Sequence, residues 1–275
     1  MIDPNLTAII LGLLIGFLMA ITGAGGAILS LPLLMYFFNL GIKDAAPIAL
    51  LAVSVAAGLA AIIGLKQGVV RYKAATLLAV MGIIMAPIGV FLAQRIPSLW
   101  LQLLFTLVLF YVGWQALITA KSSGHLQDTL FTGHSTPCEV NPATSRLFWT
   151  ASCTKRLLLT GSVAGFLSGL LGVGGGFVVM PSLLKISNLE HRMVVATSLT
   201  MTALVSLVGV ISYASYSGLY WDIAIPFVLA AFVGSLIGRL FSQKISIFTS
   251  RLTFGLISLF IALIMLTTLI TGFLD

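Results

Sequence analysis

Hydrophobic residues fall into ten segments along the chain, separated by short polar stretches. Most segments are close to the ~20 residues that a helix needs to cross a hydrocarbon core of about 30 Å. Two of them hold only ~13 residues and would rise about 20 Å as helices. The pattern predicts membrane-spanning helices with two shorter helices among them, at residues 5–22, 26–38, 44–65, 73–94, 98–119, 157–171, 175–187, 193–216, 222–243 and 247–272.

Composition supports this interpretation. The chain is 59% hydrophobic and 8% charged, whereas a soluble domain has about 25% charged residues. An all-α polytopic membrane protein is therefore predicted. The net charge of +7 would suggest nucleic acid as the partner of a soluble protein, but here it indicates membrane orientation, and no nucleic-acid partner is expected. No detachable signal peptide is expected either, because the first lysine is Lys43.

Two glycine-rich segments recur 149 residues apart. They are FLMAITGAGGAILSLPLLM (residues 17–35) and FLSGLLGVGGGFVVMPSLL (residues 166–184), which share phenylalanine, leucine, glycine and proline positions. Glycine weakens a helix by roughly 1 kcal/mol relative to alanine, so each cluster predicts a helix break. Further matches, such as Ile88–Gly89 with Ile237–Gly238, extend the repeat. Each half is therefore one glycine-interrupted segment followed by three spans, a duplication common in transporters.

The positions of the basic residues favour one topology. If the chain turns at each glycine cluster and leaves on the side that it entered, 12 of the 14 Lys and Arg residues share one side, and only Lys43 and Arg95 lie on the other. Continuous spans would divide them evenly. The positive-inside bias therefore predicts two inverted repeats, each a glycine-broken helical hairpin followed by three transmembrane helices, with both termini outside. The predicted units are repeat 1 at 1–120 (hairpin 5–38), a cytoplasmic loop at 121–156, and repeat 2 at 157–275 (hairpin 157–187).

The glycine turns are also the candidate substrate site. A helix that restarts after a turn offers free N–H groups and the positive end of its dipole, which suits an anion. Hydroxyl side chains lie nearby, including Ser168 and Ser182 beside the second cluster. Close helix packing by glycine, and hydroxyls bonded to their own backbone, stay open as alternatives. The candidate residues are Thr22, Gly23, Gly25, Gly26, Ser30, Gly172, Gly174, Gly175, Gly176, Thr197, Ser198 and Thr202.

Other chemistry finds little support in the sequence. GVGGGF lacks the lysine of a phosphate-binding loop, and neither cluster matches a dinucleotide fingerprint. The three histidines lie in polar loops or at a span end, without metal-ligand spacing. We therefore expect no enzyme activity, no cofactor and no metal. Cys138 and Cys153 are expected to be ordinary thiols in the cytoplasmic loop.

The paired G-x-G-G hairpins with a following proline, in two copies of a four-segment unit, resemble the TauE/SafE family of sulfite exporters, also called the 4-toluene sulfonate uptake permease family. The resemblance covers nearly the whole chain except 121–156, and it is weaker in the first copy, where Ala27 replaces the third glycine. It implies transport of sulfur-containing anions such as sulfite, sulfonates or sulfoacetate across a bacterial inner membrane, so that the outside termini predicted from the basic residues would be periplasmic. Both glycine clusters and the prolines Pro32 and Pro181 match the family's motif.

The positions of the acidic residues favour one direction of transport. All seven lie in loops, at termini or at span ends, so no carboxylate is placed as a proton relay within the membrane. The substrate gradient and the membrane potential are then the expected driving force, which favours export of an anion. The alternatives are an importer of an organic anion, or an interaction or receptor protein that works through its cytoplasmic loop. The expected partners are a small anion and the lipid bilayer, with a homodimer left open.

Overall fold

The computed structural model describes residues 4–122, 138, 150–187, 189–216, 218–242 and 247–274. Within these ranges, each of the ten hydrophobic segments forms a helix, and seven helices are long and apolar enough to cross a membrane. The prediction of an all-helical, polytopic membrane protein is confirmed. The helices are α1 (Pro4–Thr22), α2 (Ser30–Phe38), α3 (Ile42–Lys66), α4 (Tyr72–Arg95), α5 (Ser98–Ser122), α6 (Ala151–Leu171), α7 (Gly176–Ile186), α8 (His191–Ala214), α9 (Trp221–Ser242) and α10 (Ile247–Leu274).

The chain turns back on itself at both glycine clusters. A β-carbon added to Gly26 would lie 2.7 Å from the Cα of Met19, although residues seven apart in a straight helix are about 10.5 Å apart. At the equivalent position of the second half, a β-carbon on Gly175 would lie 2.9 Å from the Cβ of Ala164. The short helices that follow, α2 and α7, have 9 and 11 residues and rise only about half the thickness of a hydrocarbon core.

The two turns begin alike and then differ. Gly23 and Gly172, which occupy equivalent positions, both have a left-handed backbone, with φ of +72° and +69°. The first copy then continues as a 3₁₀ helix, Gly23–Leu29, whereas residues 172–175 of the second copy form no regular helix. Gly174 also has a positive φ, of +61°, and its counterpart Gly25 does not.

Contacts between the halves recur when the halves are exchanged. Helix α1 packs along α9, and α6 packs along α4. In the first pair, Gly12 lies against Phe227; in the second pair, the equivalent residues Gly161 and Leu78 are in contact. A β-carbon on Gly161 would lie 2.7 Å from the carbonyl oxygen of Leu78, so only glycine permits this approach.

Helices α3 and α8, which are equivalent in the two halves, pack against each other in opposite directions. Leu50, near the start of α3, lies 3.0 Å from the added β-carbon position of Gly209, near the end of α8. At the other end of the pair, Gly64 of α3 lies beside Ala196 of α8. The last helices of the two halves, α5 and α10, also pack together.

A disulfide joins Cys138 to Cys153, with Cα atoms 5.0 Å apart. The backbone N–H of Cys138 donates to the carbonyl oxygen of Ile186 at 3.1 Å, which attaches this residue to the end of α7. The prediction of ordinary thiols is therefore wrong. A spacing of 15 residues carries no information about distance in space, and the fold brings the start of α6 beside the end of α7. The rest of the predicted loop between 123 and 149 lies outside the described residues.

Candidate functional site

A cavity of about 750 Å³ lies between α1, α3, α8, α9 and α10. The end of α1 contributes Thr22, the 3₁₀ helix contributes Gly23, and the start of α8 contributes His191 and Arg192. The remaining wall is largely apolar. The other lining residues are Met19, Ala20, Ile21, Ala56, Leu59, Ala60, Gln67, Val69, Met180, Glu190, Val195, Ala196, Leu199, Ser235, Arg239, Ser250 and Arg251.

Three arginines from three different helices line this cavity: Arg192, Arg239 and Arg251. Against the single acidic residue Glu190, they leave an excess of two positive charges. The Nη2 of Arg192 donates to Oε1 of Gln67 at 2.8 Å. This hydrogen bond connects the start of α8 to the end of α3. A planar guanidinium can donate two parallel hydrogen bonds to an oxyanion. The wall is therefore suited to bind a small oxyanion.

Two hydroxyl groups donate hydrogen bonds to carbonyl oxygens at the end of α1. Without these bonds, the carbonyl oxygens would repel an anion in the cavity. The last carbonyls of a helix carry the negative end of its dipole. Ser250 Oγ donates to the carbonyl oxygen of Ile21 at 3.1 Å, and Thr22 Oγ1 donates to that of Leu18 at 2.8 Å. The negative end of α1 is thereby partly compensated where it meets the cavity.

The inner wall of the cavity is an apolar cluster. Met19, Ala56 and Leu199 line the cavity and are packed with three further buried residues, Ala27, Val53 and Ala57. We call these six residues the apolar floor. One floor residue, Val53, also lies against Gly174 of the second glycine turn.

The equivalent place in the other half is filled by side chains. The cavity residues Val195, Leu199, Arg239 and Ser250 have counterparts 149 residues earlier that are fully buried in the main hydrophobic core. These counterparts are Ala46, Leu50, Val90 and Leu101. A duplicated chain is thus open around one set of equivalent residues and packed around the other.

Two hydrogen bonds involve residues of the half whose equivalent positions are packed into the core or residues in contact with them. Tyr213 donates from its hydroxyl to the carbonyl oxygen of Gly169 at 3.0 Å, which joins α8 to α6. Lys43, the counterpart of the cavity residue Arg192, donates from Nζ to the carbonyl oxygen of Gln94 at 2.9 Å. The basic residue that faces a cavity in one half is therefore bound to a helix end in the other.

The structure divides the twelve residues singled out by the sequence. Thr22 and Gly23 line the large cavity. Gly25 lines a neighbouring cavity of about 110 Å³ together with Phe177 of α7 and Arg251. The 3₁₀ segment also contacts α7, so the two hairpins meet. The other nine are buried and line neither cavity: Gly26, Ser30, Gly172, Gly174, Gly175, Gly176, Thr197, Ser198 and Thr202.

The buried hydroxyls differ in their partners. Ser30 donates to the carbonyl oxygen of Ala27 at 2.7 Å, and Ser198 donates to that of Val195 at 2.9 Å. Both bonds satisfy the hydroxyl within its own stretch of chain. Thr197 Oγ1 accepts a hydrogen bond from the backbone N–H of Arg71 at 3.1 Å. Thr202 Oγ1 is buried and has no partner among the described residues.

Sequence reasoning missed the arginines of the cavity, which it counted only as orientation charges. The signal was available, because Arg239 and Arg251 fall inside the hydrophobic segments 222–243 and 247–272. An ionisable residue inside a membrane segment is by default a candidate functional residue. Within the described ranges, no group of three or more His, Cys, Asp or Glu side chains is placed to hold a metal ion.

Comparisons with known proteins identify a family and several relatives of this chain. Residues 8–265 match the family model described as sulfite exporter TauE/SafE. A probable membrane transporter protein of Xylella fastidiosa (strain 9a5c) is 28% identical over 256 residues, which cover 92% of this chain and 91% of the relative. One of Methanocaldococcus jannaschii, also called a probable membrane transporter protein, is 28% identical and covers 86% of each chain. No solved structure shows a significant match.

Cysteine labelling should detect the one-sided opening. Val195→Cys, on the cavity wall, should react with a charged methanethiosulfonate reagent at least ten times faster than its counterpart Ala46→Cys, which is fully buried. Both variants are made in a Cys138→Ser/Cys153→Ser background, and labelling rates are measured by mass spectrometry on purified protein. Equal rates at the two positions would show that the cavity is not open to solvent.

Proposed function

Because this chain belongs to the TauE/SafE sulfite exporter family, we propose that it is a secondary transporter that moves small sulfur-containing anions of the sulfite, sulfonate or sulfoacetate class out of the cell. One observation carries the proposal. Three arginines face a cavity that both halves of the chain line, and four of its lining residues have counterparts that are packed into the hydrophobic core. A carrier that opens to one side at a time requires this kind of asymmetry.

The arginine cavity would be the entry site for the anion. Two excess positive charges attract it, and the guanidinium groups can hold two oxygens of a sulfite or sulfonate group. The apolar wall, with Met180 and Leu59, would accommodate the organic part of a larger substrate. From there the anion would move toward the glycine turns, whose helix N-termini favour negative charge.

Inverted repeats would let the open and packed sides exchange. The opposed directions of α3 and α8, and the recurrence of the α1–α9 contacts between α6 and α4, support an inverted arrangement. In such an arrangement, each half can adopt the conformation that its partner has in the described structure. The cavity would then close on one side of the membrane and open on the other, with the anion carried between them.

In the inverted arrangement, 12 of the 14 Lys and Arg residues share one side of the membrane. The positive-inside bias would make this side, and the mouth of the cavity, cytoplasmic. Gln67 and Arg192 lie at the helix ends that carry this majority, so the described conformation would be open to the inside. The disulfide bears on the same question, since stable disulfides are rare in the cytosol. With the loop in the cytoplasm, the Cys138–Cys153 disulfide would be one of these rare cases, whereas with the loop outside it would be an ordinary one.

Fusion and labelling experiments test this orientation. Alkaline phosphatase fused after Asp275 should be active, and fused near Gly133 it should be inactive. In cells quenched with acid to preserve thiol states, maleimide should modify Cys138 and Cys153 only after reduction, because the two are joined. An active fusion at Gly133 with an inactive fusion after Asp275 would reverse the proposed orientation.

Transport assays with arginine variants test the function. Arg239→Gln and Arg251→Gln should each lower flux of ³⁵S-sulfite from proteoliposomes at least tenfold, because each removes a cation from the cavity wall. Arg95→Gln is the control, since Arg95 is exposed and stacks on Phe91 with its guanidinium carbon 4.3 Å from the ring centroid. Arg251→Lys should retain part of the activity, because it keeps the charge and loses the planar fork.

The same vesicles should be tested with sulfite, taurine, isethionate and sulfoacetate, with and without a potassium-diffusion potential. Anion efflux should follow the imposed potential, which supplies about 2.3 kcal/mol per charge per 100 mV. It should not respond to a pH gradient at constant substrate charge. If no member of this panel moves, the substrate class is wrong; if uptake exceeds efflux at matched driving force, the chain is an importer.

A further inference from the structure

Four buried hydroxyl groups have no hydrogen-bond partner among the described residues, and all four residues are fully buried. Ser258 of α10 packs against Gly113 of α5. The other three are Ser168 of α6 and Thr202 and Ser206 of α8. Most serines and threonines of the spans donate to a carbonyl of the preceding turn, as Ser198 does. A buried hydroxyl without a partner loses its hydration and gains nothing in return, so its presence calls for an explanation.

Two of these hydroxyl residues lie against the second glycine turn. A β-carbon added to Gly174 would be 2.7 Å from Oγ of Ser206 and 3.1 Å from Cγ2 of Thr202. Gly174 stands two residues before α7, which starts at Gly176 and has 11 residues. The hydroxyl of Ser206 therefore lies against Gly174, just before the N-terminus of α7, where the glycine has no side chain of its own.

A single apolar layer separates this turn from the arginine cavity. The added β-carbon position of Gly174 is also 2.9 Å from Cγ1 of Val53. Val53 belongs to the apolar floor, together with the cavity-lining residues Met19 and Leu199. Thr202 and Ser206 thus lie next to Val53 of the floor, and none of the three hydroxyl residues lines the cavity.

The equivalent residues in the first half are apolar. The counterparts of Ser168, Thr202 and Ser206, 149 residues earlier, are Met19, Val53 and Ala57. All three belong to the apolar floor. The same positions in the fold are therefore packed with hydrophobic side chains in one half, which shows that the packing itself does not require hydroxyl groups there.

We propose that Ser168, Thr202 and Ser206, with Gly174 and the first backbone N–H groups of α7, form a second, occluded binding position for the oxyanion. The inference rests on the proposed function, which supplies the anion through the arginine cavity. Movement of Val53 would admit it. Hydroxyl donors and a helix N-terminus hold an oxyanion without a full countercharge. The anion would bind less tightly here than beside the arginines, so it could leave toward the opposite side.

Purified protein in proteoliposomes tests the second position, with ³⁵S-sulfite as the probe. The double variant Thr202→Val/Ser206→Ala should lower flux at least tenfold, and its dissociation constant for ³⁵S-sulfite should stay within about twofold of wild type, because the arginine cavity is intact. Ser54→Ala is the matched control, since this hydroxyl on α3 already donates to the carbonyl oxygen of Leu51 at 2.9 Å. Thr202→Ser keeps the hydroxyl and should retain flux.

Thermal unfolding without sulfite gives a readout that does not depend on transport. Removing hydroxyls that lack partners should leave the Tm of the double variant unchanged or raise it by a few degrees. A fall in Tm, or flux at the wild-type rate, would overturn the proposal. If wild type and the arginine variants all fail to bind or move sulfite, the proposed function fails, whereas normal arginine effects with an inactive hydroxyl site reject the second position alone.

Discussion

A backbone that turns inside a membrane must have its polar groups satisfied by protein, because hydrocarbon offers them no partner. Both turns of this chain fold back onto the preceding helix, which shields them with protein. Gly26 rests on the backbone of Met19, and Gly175 rests on Ala164. Side chains at these positions would separate the turn from the helix that shields it. The short helices, their N-termini and the cavity beside the first turn all depend on these two close approaches.

The two halves of the chain make equivalent contacts with each other. The positions at which equivalent residues differ in chemistry are the candidates for function. Equivalent contacts between α1 and α9, and between α6 and α4, hold the two halves in the same way. Yet Arg239 faces a cavity and its counterpart Val90 is buried in the core. Thr202, whose hydroxyl has no partner among the described residues, likewise corresponds to Val53 of the apolar floor. Residues that serve only packing have no need of such differences.

The sequence predicts the helices well, since hydrophobic segments of about 20 residues have few alternatives to a transmembrane helix. Recurrence at 149 residues likewise predicts where the chain turns. The cavity could not be predicted from the sequence. Whether Arg251 faces the interior or the lipid depends on how α10 packs against other helices. The Cys138–Cys153 disulfide depends on contact between two elements that spacing does not reveal. The family was accessible from motifs alone, and the arginine cavity required the fold.

Distances across the two ends of the molecule test the central claim most directly. Spin labels can be attached at Leu65 and Leu240, which are close in sequence to the cavity residues Gln67 and Arg239. Labels at the equivalent positions Ala214 and Phe91 report on the other half, and all four residues are exposed. Double electron–electron resonance in lipid nanodiscs, with and without saturating sulfite, should show the first distance shortening as the second lengthens. Two distances that stay constant during measured transport, or that change in the same sense, would contradict alternating access between equivalent halves.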